Sequence, residues 1–282
     1  MDQLGLSGRV VLVTGAGRGL GRAYALRLAQ CGALVAVHDA GLDLDGLNPD
    51  GSVVDQVVSA IRAAGGQAFA ITDLLDGASS CCRIVQQVMD FAGRIDGLVH
   101  SAGLVVWRDP SEVDNALFRR LSAVNSDAAF WLCSSILPSM REQGFGRIVL
   151  STSGWALSPH KGSEELILYC HGKGAQFGLA MGLANAAGHD EIKVNLIAPV
   201  AKTRMYRGEV EENRLRPEMV AGAVTWLASP ACSVSGCLVQ AVDGWLSIAR
   251  IESSEKINLG SLAIDPVEAG RAIEALCRGG SS

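Results

Sequence analysis

Tyr169 and Lys173 are the residue pair in this sequence best suited to proton transfer. They lie four positions apart in a stretch of helical character, so their side chains project from one face of a helix. A tyrosine hydroxyl has a pKa near 10 and is a poor base at neutral pH, but an ammonium group within about 4–6 Å favours the phenolate. The spacing predicts that Tyr169 exchanges a proton with a reacting group and that Lys173 lowers the pKa of Tyr169.

Ser153 and Asn125 are expected to complete this site. Ser153 follows an apolar stretch 16 residues before Tyr169, and its hydroxyl is suited to hold a carbinol or carbonyl oxygen. Asn125 lies in a long helical segment among apolar neighbours, where an amide is costly to bury unless it is hydrogen-bonded. We expect Asn125 to connect Lys173 to water. Together these residues predict acid–base chemistry on an alcohol or a ketone.

A glycine-rich loop follows the first apolar run of the chain and predicts an anion site. Residues 11–13 indicate a buried strand, the loop then has the pattern T-G-x-x-x-G-x-G, and a helical pattern opens behind it. Such a strand, loop and helix N-terminus present free N–H groups to a phosphate. The alternative is a glycine-rich turn without a ligand. We interpret the loop as a nucleotide pyrophosphate site with the contact residues Gly15, Arg18, Gly19, Leu20 and Gly21.

Asp39 ends the second predicted strand and points to the kind of nucleotide. It lies 18 residues after Gly21, close to the offset of about 20 residues expected of a carboxylate that binds a ribose 2′-OH. A carboxylate at this place repels a 2′-phosphate, so the sequence favours NAD over NADP, although Arg18 keeps NADP possible. The alternative is that Asp39 is a turn residue at a strand end.

Apolar runs and helical patterns alternate along the chain, which is typical of an α/β protein. Beyond the first strand, strands are predicted at 33–37, 67–71, 97–100, 146–150, 193–197 and, as the last strand, 237–240. Helices lie between them, with long ones over 116–140 and about 166–187. This order predicts a single-domain Rossmann-type, doubly wound parallel sheet with helices on both faces. We place that domain at residues 1–250 and a tail with one helix (266–276) at 251–282.

Composition argues against several other classes of protein. The chain has 49% hydrophobic and 19% charged residues and a formal charge of −5, which fits a globular protein and gives no basic face for nucleic acid. No apolar run reaches the ~20 residues of a membrane helix, and the N-terminus lacks the pattern of a secretory signal. Eight scattered cysteines and five histidines without ligand spacing predict reduced thiols and no metal site. We expect a cytoplasmic protein, since the chain also does not end in Ser-Lys-Leu.

These motifs, in this order, resemble the short-chain dehydrogenase/reductase family over residues 6 to 245. The resemblance implies a nicotinamide cofactor and assigns Asn125, Ser153, Tyr169 and Lys173 as catalytic residues. Lys173 is also expected to reach the nicotinamide ribose. The resemblance implies further cofactor contacts from the matching residues Asp73, Leu74, Ser101, Ala102, Gly103, Tyr169, Lys173, Pro199 and Thr203. It also implies a homodimer or homotetramer that assembles through the helices carrying Asn125 and Tyr169.

Within the family, three stretches are similar to the (3R)-hydroxyacyl-CoA dehydrogenase units of peroxisomal multifunctional enzymes, which also act on 17β-hydroxysteroids. These stretches are residues 8–26, the segment 197–205 and the segment 216–221. Several residues depart from the family pattern. His100 and Ser101 replace two asparagines, and Val200 replaces a glycine. Gly172 and Gly174 flank Lys173. Residues 161–165 form an insertion beside the expected substrate pocket.

The segments that should rim the nicotinamide carry large apolar side chains. These suit a hydrophobic alcohol or ketone substrate, with ordinary packing as the alternative. The candidate substrate residues are Trp107, Trp155, Leu157, Met205 and Tyr206, and the basic residues placed to meet a CoA phosphate are Lys161, Lys202, Arg204 and Arg207, with ordinary solvated charges as the alternative. A ketoreductase that tailors a secondary metabolite, a non-catalytic NAD-binding regulator and a scaffold without nucleotide are the alternative functions.

Overall fold

A parallel sheet of buried strands forms the centre of the fold. The computed structural model describes residues 3–158, 164–187, 191–258 and 265–279. The strands are β1 (Val10–Thr14), β2 (Leu34–His38), β3 (Gln67–Ile71), β4 (Gly97–His100), β5 (Gly146–Ser151), β6 (Ile192–Val200), β7 (Leu238–Val242) and β8 (Trp245–Ala249). They form one eight-stranded sheet in the order β3-β2-β1-β4-β5-β6-β7-β8. Strands β1 to β7 pair in parallel, as predicted.

Helices cover both faces of this sheet. They are α1 (Gly19–Gln30), α2 (Ser52–Ala63), α3 (Ala78–Ala92), α4 (Asn115–Ser122), α5 (Ala128–Glu142), α6 (Ile167–Ala186) and α7 (Glu218–Leu227). An eighth helix, α8 (Pro266–Gly279), belongs to a separate unit of the chain that is described below. Helix α1 packs between α2 and α7, while α5 packs with α3 and α6, so two separate helical layers enclose the strands. The doubly wound Rossmann-type fold is confirmed.

The strand order places a crevice at one edge of the sheet. The chain turns back from β1 to β2 and β3 on one side and continues with β4 on the other, so the order reverses between β1 and β4. Ligands of such sheets bind outside the carboxyl ends of the strands at that point. Thr14, His38 and His100 end the three strands that meet there and are paired in register.

The opposite edge of the sheet carries a buried ion cluster. The Asp96 carboxylate accepts hydrogen bonds from Arg9 (2.8 Å) and Arg94 (2.6 Å) and from the backbone N–H of Val10 (2.9 Å). Burial by itself raises the pKa of Asp96, but the bonds from Arg94, Val10 and Arg9 outweigh it and hold the pKa below its usual range. The cluster ties the start of β1 to the start of β4, and Phe145 stacks on Arg9 beside it.

Several predicted strand bounds differ by one to three residues, and two predictions differ from the structure in kind. The helix predicted over 116–140 is two α-helices joined by a π turn at Ala123–Asp127. The prediction that 237–240 is the last strand is wrong, because β8 follows β7 after a two-residue turn. In that turn Asp243 and Gly244 have φ of +48° and +84°, the left-handed conformation that tight hairpin turns require. Hydrophobic periodicity does not show such a turn. The Asp-Gly pair does not identify it either, because this pair also occurs in ordinary loops.

The chain divides into two compact units, Met1–Ile248 and Ala249–Ser282. The second unit contains α8, which spans the tail helix predicted at 266–276. Residues 161–163 of the predicted insertion lie outside the described residues, and Glu164 and Glu165 stand in a short 3₁₀ turn before α6. No helix among the described residues is long and apolar enough to cross a membrane.

The substitution Asp96→Asn tests the ion cluster. We expect it to lower the free energy of unfolding at pH 7 by about 1.5–3 kcal/mol, the typical contribution of hydrogen bonds to a charged group. Because the pKa of Asp96 is lower in the folded chain, its stabilisation is present above the unfolded pKa near 3.9 and is lost as the pH falls through the folded value. Urea unfolding of both proteins should therefore give curves that converge at low pH. The change Asp90→Asn, at an exposed acid of α3, is the control. Equal stability of Asp96→Asn and wild type at pH 7 would contradict the assignment.

Candidate active site

The loop between β1 and α1 forms one wall of a cleft at the carboxyl edge of the sheet. Gly15 has φ of +66°, and a Cβ atom there would lie 2.6 Å from the Cα atom of Ala102, so only glycine fits. Helix α1 begins at Gly19 without a side-chain cap from Arg18 and without an acid in its first turn. Its first N–H groups border the cleft and suit an anion.

The cleft has a volume of about 380 Å³. The predicted cofactor residues along it are Gly15, Arg18, Gly19, Leu20, Gly21, Asp39, Ser101, Ala102, Gly103 and Thr203. Other residues that line it were not predicted, among them His38, Leu75, Leu104 and Val124. His38 precedes the predicted Asp39 and Leu104 follows the predicted Gly103, so their position beside those residues was an available signal. Tyr169, Lys173 and Pro199 are not among the residues that line the cleft.

Asp39 holds two loops together at the far end of this cleft. One carboxylate oxygen accepts the N–H of Gly17 (2.9 Å) and the other accepts the N–H of Gly41 (2.8 Å). Arg18 lies beside it and donates to the carbonyls of Gly41 and Leu42 at 3.4 and 3.2 Å. A carboxylate has about four acceptor positions, so Asp39 keeps acceptor capacity for hydroxyl groups of a ligand.

Asp73 and Leu74 lie near the same end, but their side chains turn outward. The Asp73 carboxylate accepts from Gln87 (2.7 Å) and Arg83 (3.2 Å), and its pKa is lowered by the bond from Gln87 first of all. Leu74 is 40% exposed, whereas the next residue, Leu75, is buried and borders the cleft. The structure thus places Leu75, and not Leu74, along the cleft. Two adjacent leucines after a strand end do not show by their residue type which of them faces the cleft.

Tyr169 and Ser153 lie next to each other on the side of β4 that faces β5. Ser153 follows β5, and its side chain is hydrogen-bonded to the Tyr169 hydroxyl. Burial raises the pKa of Tyr169 to about 12, and the bond with Ser153 opposes this rise. The expectation that Lys173 lowers the pKa of Tyr169 below 10 is not met by this arrangement, because burial dominates. The pair is positioned to hold one oxygen atom between two hydroxyl groups.

Lys173 is buried directly behind Tyr169. Lys173 is 4% exposed. Its Nζ donates a hydrogen bond to the Ser151 carbonyl (2.8 Å) and lies 5.8 Å from the centre of the Tyr169 ring. Burial lowers the pKa of Lys173 to about 8. The hydroxyl of Thr152 donates to the Lys173 carbonyl (2.9 Å), which fixes α6 against the end of β5.

Asn125 lies in the π turn, and its amide is fully engaged by the backbone. Its Oδ1 accepts the N–H of Leu104 and its Nδ2 donates to the carbonyl of Leu104, both at 2.8 Å. The prediction that this buried amide needs hydrogen-bond partners agrees with these contacts. The side chain therefore holds the loop after β4 in place, and within the described part of the chain it makes no direct hydrogen bond to Lys173. π turns inside α-helices are frequent at functional sites.

The two glycines that flank Lys173 have different surroundings. A Cβ atom on Gly172 would lie 2.5 Å from the Cβ atom of Asn125, so Gly172 allows α6 to approach the π turn closely. A Cβ atom on Gly174 would meet nothing within 4 Å. Gly172 thus leaves room for the Asn125 side chain, whereas no neighbouring atom requires a glycine at position 174.

The candidate substrate residues lie on three segments. Met205 borders the cleft, and Trp155 stands in a 3₁₀ turn, Gly154–Ala156, directly after Ser153. The Arg207 guanidinium lies 4.6 Å from the centre of the Trp107 ring and 3.9 Å from the Glu165 carboxylate, which joins the loop after β4, the segment before α6 and the loop after β6. Leu157 is half-buried, and Tyr206 is exposed. Lys202 and Arg204 border the cleft, while Lys161 lies outside the described residues.

Comparison with known proteins gives one family. A family model described as short chain dehydrogenase matches residues 9–214. Peroxisomal multifunctional enzyme type 2 from Mus musculus is 36% identical over 252 residues, which are 88% of this chain and 34% of the mouse protein. The chain thus spans about a third of the length of that relative.

Solved structures agree in fold and bind related ligands. A short chain dehydrogenase from Mycobacterium avium has 32% identity and a TM-score of 0.84, with 97% of this chain and 96% of that chain covered. A short chain dehydrogenase from Mycobacterium paratuberculosis bound to NAD has 25% identity and a TM-score of 0.75, over 85% of this chain and 97% of that one. A metagenomic short-chain oxidoreductase in complex with NADP has 28% identity and a TM-score of 0.67, over 79% and 91%.

Alanine substitutions at the two glycines test the close approach of α6 to the π turn. Gly172→Ala should lower the melting temperature, since its Cβ would overlap Asn125. Gly174→Ala, the matched change in the same helix, should raise the free energy of unfolding by about 0.5–1 kcal/mol because alanine favours the helix. Thermal unfolding of both variants measures the difference. A Gly172→Ala protein as stable as Gly174→Ala would show that the approach is not tight.

Proposed function

The chain belongs to the short-chain dehydrogenase family and is an oxidoreductase; from this premise we propose that it uses NAD(H) to interconvert a secondary alcohol and a ketone. The observation that carries the proposal is the Tyr169–Ser153 hydroxyl pair beside a nucleotide cleft, with the Lys173 ammonium buried behind it. We propose that the substrate is hydrophobic and resembles a 3-hydroxyacyl-CoA or a hydroxysteroid.

The proposed roles follow from the contacts of the four polar residues. Ser153 donates a hydrogen bond to the substrate oxygen, and Tyr169 takes the hydroxyl proton during oxidation or returns it during reduction. Lys173 supplies positive charge near the phenol, and Asn125 holds the loop that borders Lys173. When bound, the nicotinamide would accept or supply the hydride, and its positive charge in the oxidised form would favour the Tyr169 phenolate.

The residues of the cleft fit a nicotinamide dinucleotide. The uncapped start of α1 suits the pyrophosphate, the absence of a Cβ atom at Gly15 permits the close backbone turn, and Asp39 keeps acceptor positions for ribose hydroxyls. We propose NAD as the preferred cofactor, since a carboxylate repels a 2′-phosphate. Arg18 beside Asp39 supports some use of NADP, and solved relatives contain either cofactor. Lys173 is proposed to reach the ribose next to the nicotinamide, with Pro199 and Thr203 near the ring.

The substrate side supports a hydrophobic ligand. Trp107, Trp155, Leu157, Met205 and Tyr206 come from segments next to Ser153 or from the loop after β6. We propose the acyl-CoA substrate on the resemblance of three stretches of the sequence to hydroxyacyl-CoA dehydrogenase units, and the 36% identity to the mouse peroxisomal multifunctional enzyme type 2 supports that resemblance. Lys202 and Arg204 are the basic residues beside the cleft that are proposed to meet phosphate groups.

The outer faces of α4, α5 and α6 support a homodimer or homotetramer. Phe130 and Trp131 of α5 are exposed and pack edge to face, and Phe118 of α4 contacts the His171 ring of α6 at 5.7 Å. Such a cluster of exposed rings is typical of an interface. For the location we propose the cytoplasm, because all eight cysteines are free thiols; the peroxisomal name of the relative makes cell fractionation the test.

A screen of alcohols tests the proposed reaction. The purified chain is mixed with NAD⁺ or NADP⁺ and with 3-hydroxyacyl-CoAs, hydroxysteroids and simple secondary alcohols, and the absorbance of the reduced nicotinamide is followed. We expect reduction of NAD⁺ with at least one large apolar alcohol. No turnover with any class, in either direction, would contradict an active dehydrogenase.

The substitution Tyr169→Phe tests the proton transfer. Turnover should be lost, because phenylalanine has no hydroxyl to exchange the proton, while NADH binding measured by fluorescence stays nearly intact. Tyr24→Phe is the matched control, since the Tyr24 hydroxyl is buried in α1 without a partner among the described residues. Activity retained in Tyr169→Phe would overturn the assignment.

The substitution Asp39→Ala tests the cofactor preference. It should weaken NADH binding and reduce the discrimination against NADPH, since the carboxylate that repels a 2′-phosphate is removed. Binding constants for both cofactors measure the change, and Asp45→Ala, an exposed acid in the same loop, is the control. If the wild-type protein already prefers NADPH, the proposed preference for NAD is wrong.

A further inference from the structure

The π turn at Ala123–Asp127 changes the hydrogen bonds of the backbone next to Asn125. The N–H of Ala128 donates to the carbonyl of Ala123, five residues back. In an α-helix the same N–H would donate to Val124, four residues back. The carbonyl of Val124 therefore loses its regular partner. A π turn in a buried segment needs other groups to satisfy such carbonyls.

Gln176 approaches the π turn from α6. Its side chain is fully buried, at 0% exposure, and its Nε2 donates to the carbonyl of Asn125 at 2.7 Å. Gln176 lies three residues after Lys173, so both side chains belong to the same face of α6. The other polar atom of Gln176, Oε1, is buried without a partner among the described residues. Burying an unpaired amide oxygen is unfavourable, so stability alone does not explain a glutamine at this position.

His100 approaches the π turn from the end of β4. Its Nδ1 lies 2.9 Å from the Thr14 hydroxyl, which itself accepts the N–H of Ala102 at 3.3 Å. Its Nε2 is buried and faces the carbonyl of Val124, without a hydrogen bond of full geometry. Burial, first of all, and the charge of Lys173 lower the pKa of His100 to about 3, so the ring is neutral.

We infer that Gln176 and His100 are positioning residues that hold the π turn from two sides, Gln176 by its hydrogen bond to the Asn125 carbonyl and His100 by its place beside Val124. Gln176 donates a hydrogen bond to the carbonyl of Asn125. His100 lies beside Val124 and connects it to Thr14 at the start of the glycine loop. Held in this way, Asn125 keeps its amide on Leu104. The backbone at Gly103 is thereby kept against Lys173, where an added Cβ atom would lie 3.4 Å from Nζ.

The expected effect on turnover rests on the proposed function. The expected effect on the backbone of the π turn does not depend on that function. If the π turn loosens, Lys173 and the loop after β4 shift relative to Tyr169 and Ser153, and small misplacements of reacting groups reduce the rate strongly. The proposed contacts to the pyrophosphate and to the ribose beside Asp39 lie on the glycine loop and on Asp39, away from the π turn. A loss in kcat that is much larger than the loss in cofactor binding is therefore the expected signature.

The substitution Gln176→Leu is the main test. It removes the bond to Asn125 together with the unpaired Oε1, so the melting temperature should change little. We expect kcat with the alcohol found in the screen to fall between about 10- and 100-fold, and the Kd for NADH to rise by a much smaller factor. Hydrogen–deuterium exchange of the ligand-free protein should show faster exchange at residues 122–128 and at Leu104.

Gln143→Leu is the matched control. Gln143 also donates its Nε2 to backbone carbonyls, those of Ile95 and Phe145, each at 2.7 Å, but at the far end of α5. This change should lower the melting temperature and leave the exchange of residues 122–128 as in wild type. His100→Asn, which is too short to span Thr14 and Val124, should reproduce the loss of kcat and the faster exchange.

Unchanged exchange at residues 122–128 in both Gln176→Leu and His100→Asn would overturn the inference, whatever the activity. A loss of melting temperature with a kcat like that of wild type would also overturn it, since it would reduce both residues to core packing. A wild-type protein without turnover or NADH binding would instead contradict the proposed function, while the exchange measurement would still test the π turn.

Discussion

A lysine buried without a counter-charge is the constraint on which the arrangement of the site depends. Among the described residues no carboxylate pairs with Lys173, and its ammonium donates to the Ser151 carbonyl. A pKa of about 8 in place of 10.5 corresponds to about 3 kcal/mol against the charged form. This penalty is greatest below pH 8 and disappears as the pH rises through the unfolded pKa. A carboxylate at this place would relieve it but would also oppose a negative charge on Tyr169. The neutral groups around Lys173, including His100, leave its charge directed at the phenol.

The parallel sheet separates the chemistry from the groups that stabilise the strands. Because all strands from β1 to β7 run in one direction, their carboxyl ends bring Thr14, Asp39, His100 and Ser153 to one edge. Within the described residues, the polar groups at that edge include buried atoms without hydrogen-bond partners, such as Ser151 Oγ. At the other edge, the Asp96 carboxylate is paired with Arg9, Arg94 and the N–H of Val10. The ion pairs that stabilise the strands therefore lie at the edge opposite to the one where a ligand is proposed to bind.

The sequence predicted the elements whose residues carry a local signal. The bounds of β3 and β4 agree with the structure, because each is a short apolar run between clear turn residues. The four polar candidates also lie on neighbouring elements, as their order along an α/β chain predicts. The π turn was missed because the hydrophobic periodicity of residues 116–140 does not show it. The turn is in contact with Gly172 and Gln176 of α6, a helix that lies far away in the sequence. The raised pKa of Tyr169 was missed for a similar reason: burial is a property of the packed chain, whereas the spacing to Lys173 is visible in the sequence.

Asp39 illustrates a consequence for how such a protein can diverge. The same carboxylate that is proposed to read the ribose also bonds the N–H groups of Gly17 and Gly41. Ligand preference and the geometry of two loops are therefore inherited through a single side chain. A lineage that exchanges this acid to accept a different nucleotide loses both bonds in the same step, so neutral drift at position 39 is blocked. Compensating changes around Gly17 and Gly41 must come first, which makes the preference slow to evolve and makes a one-residue redesign a poor starting point for engineering.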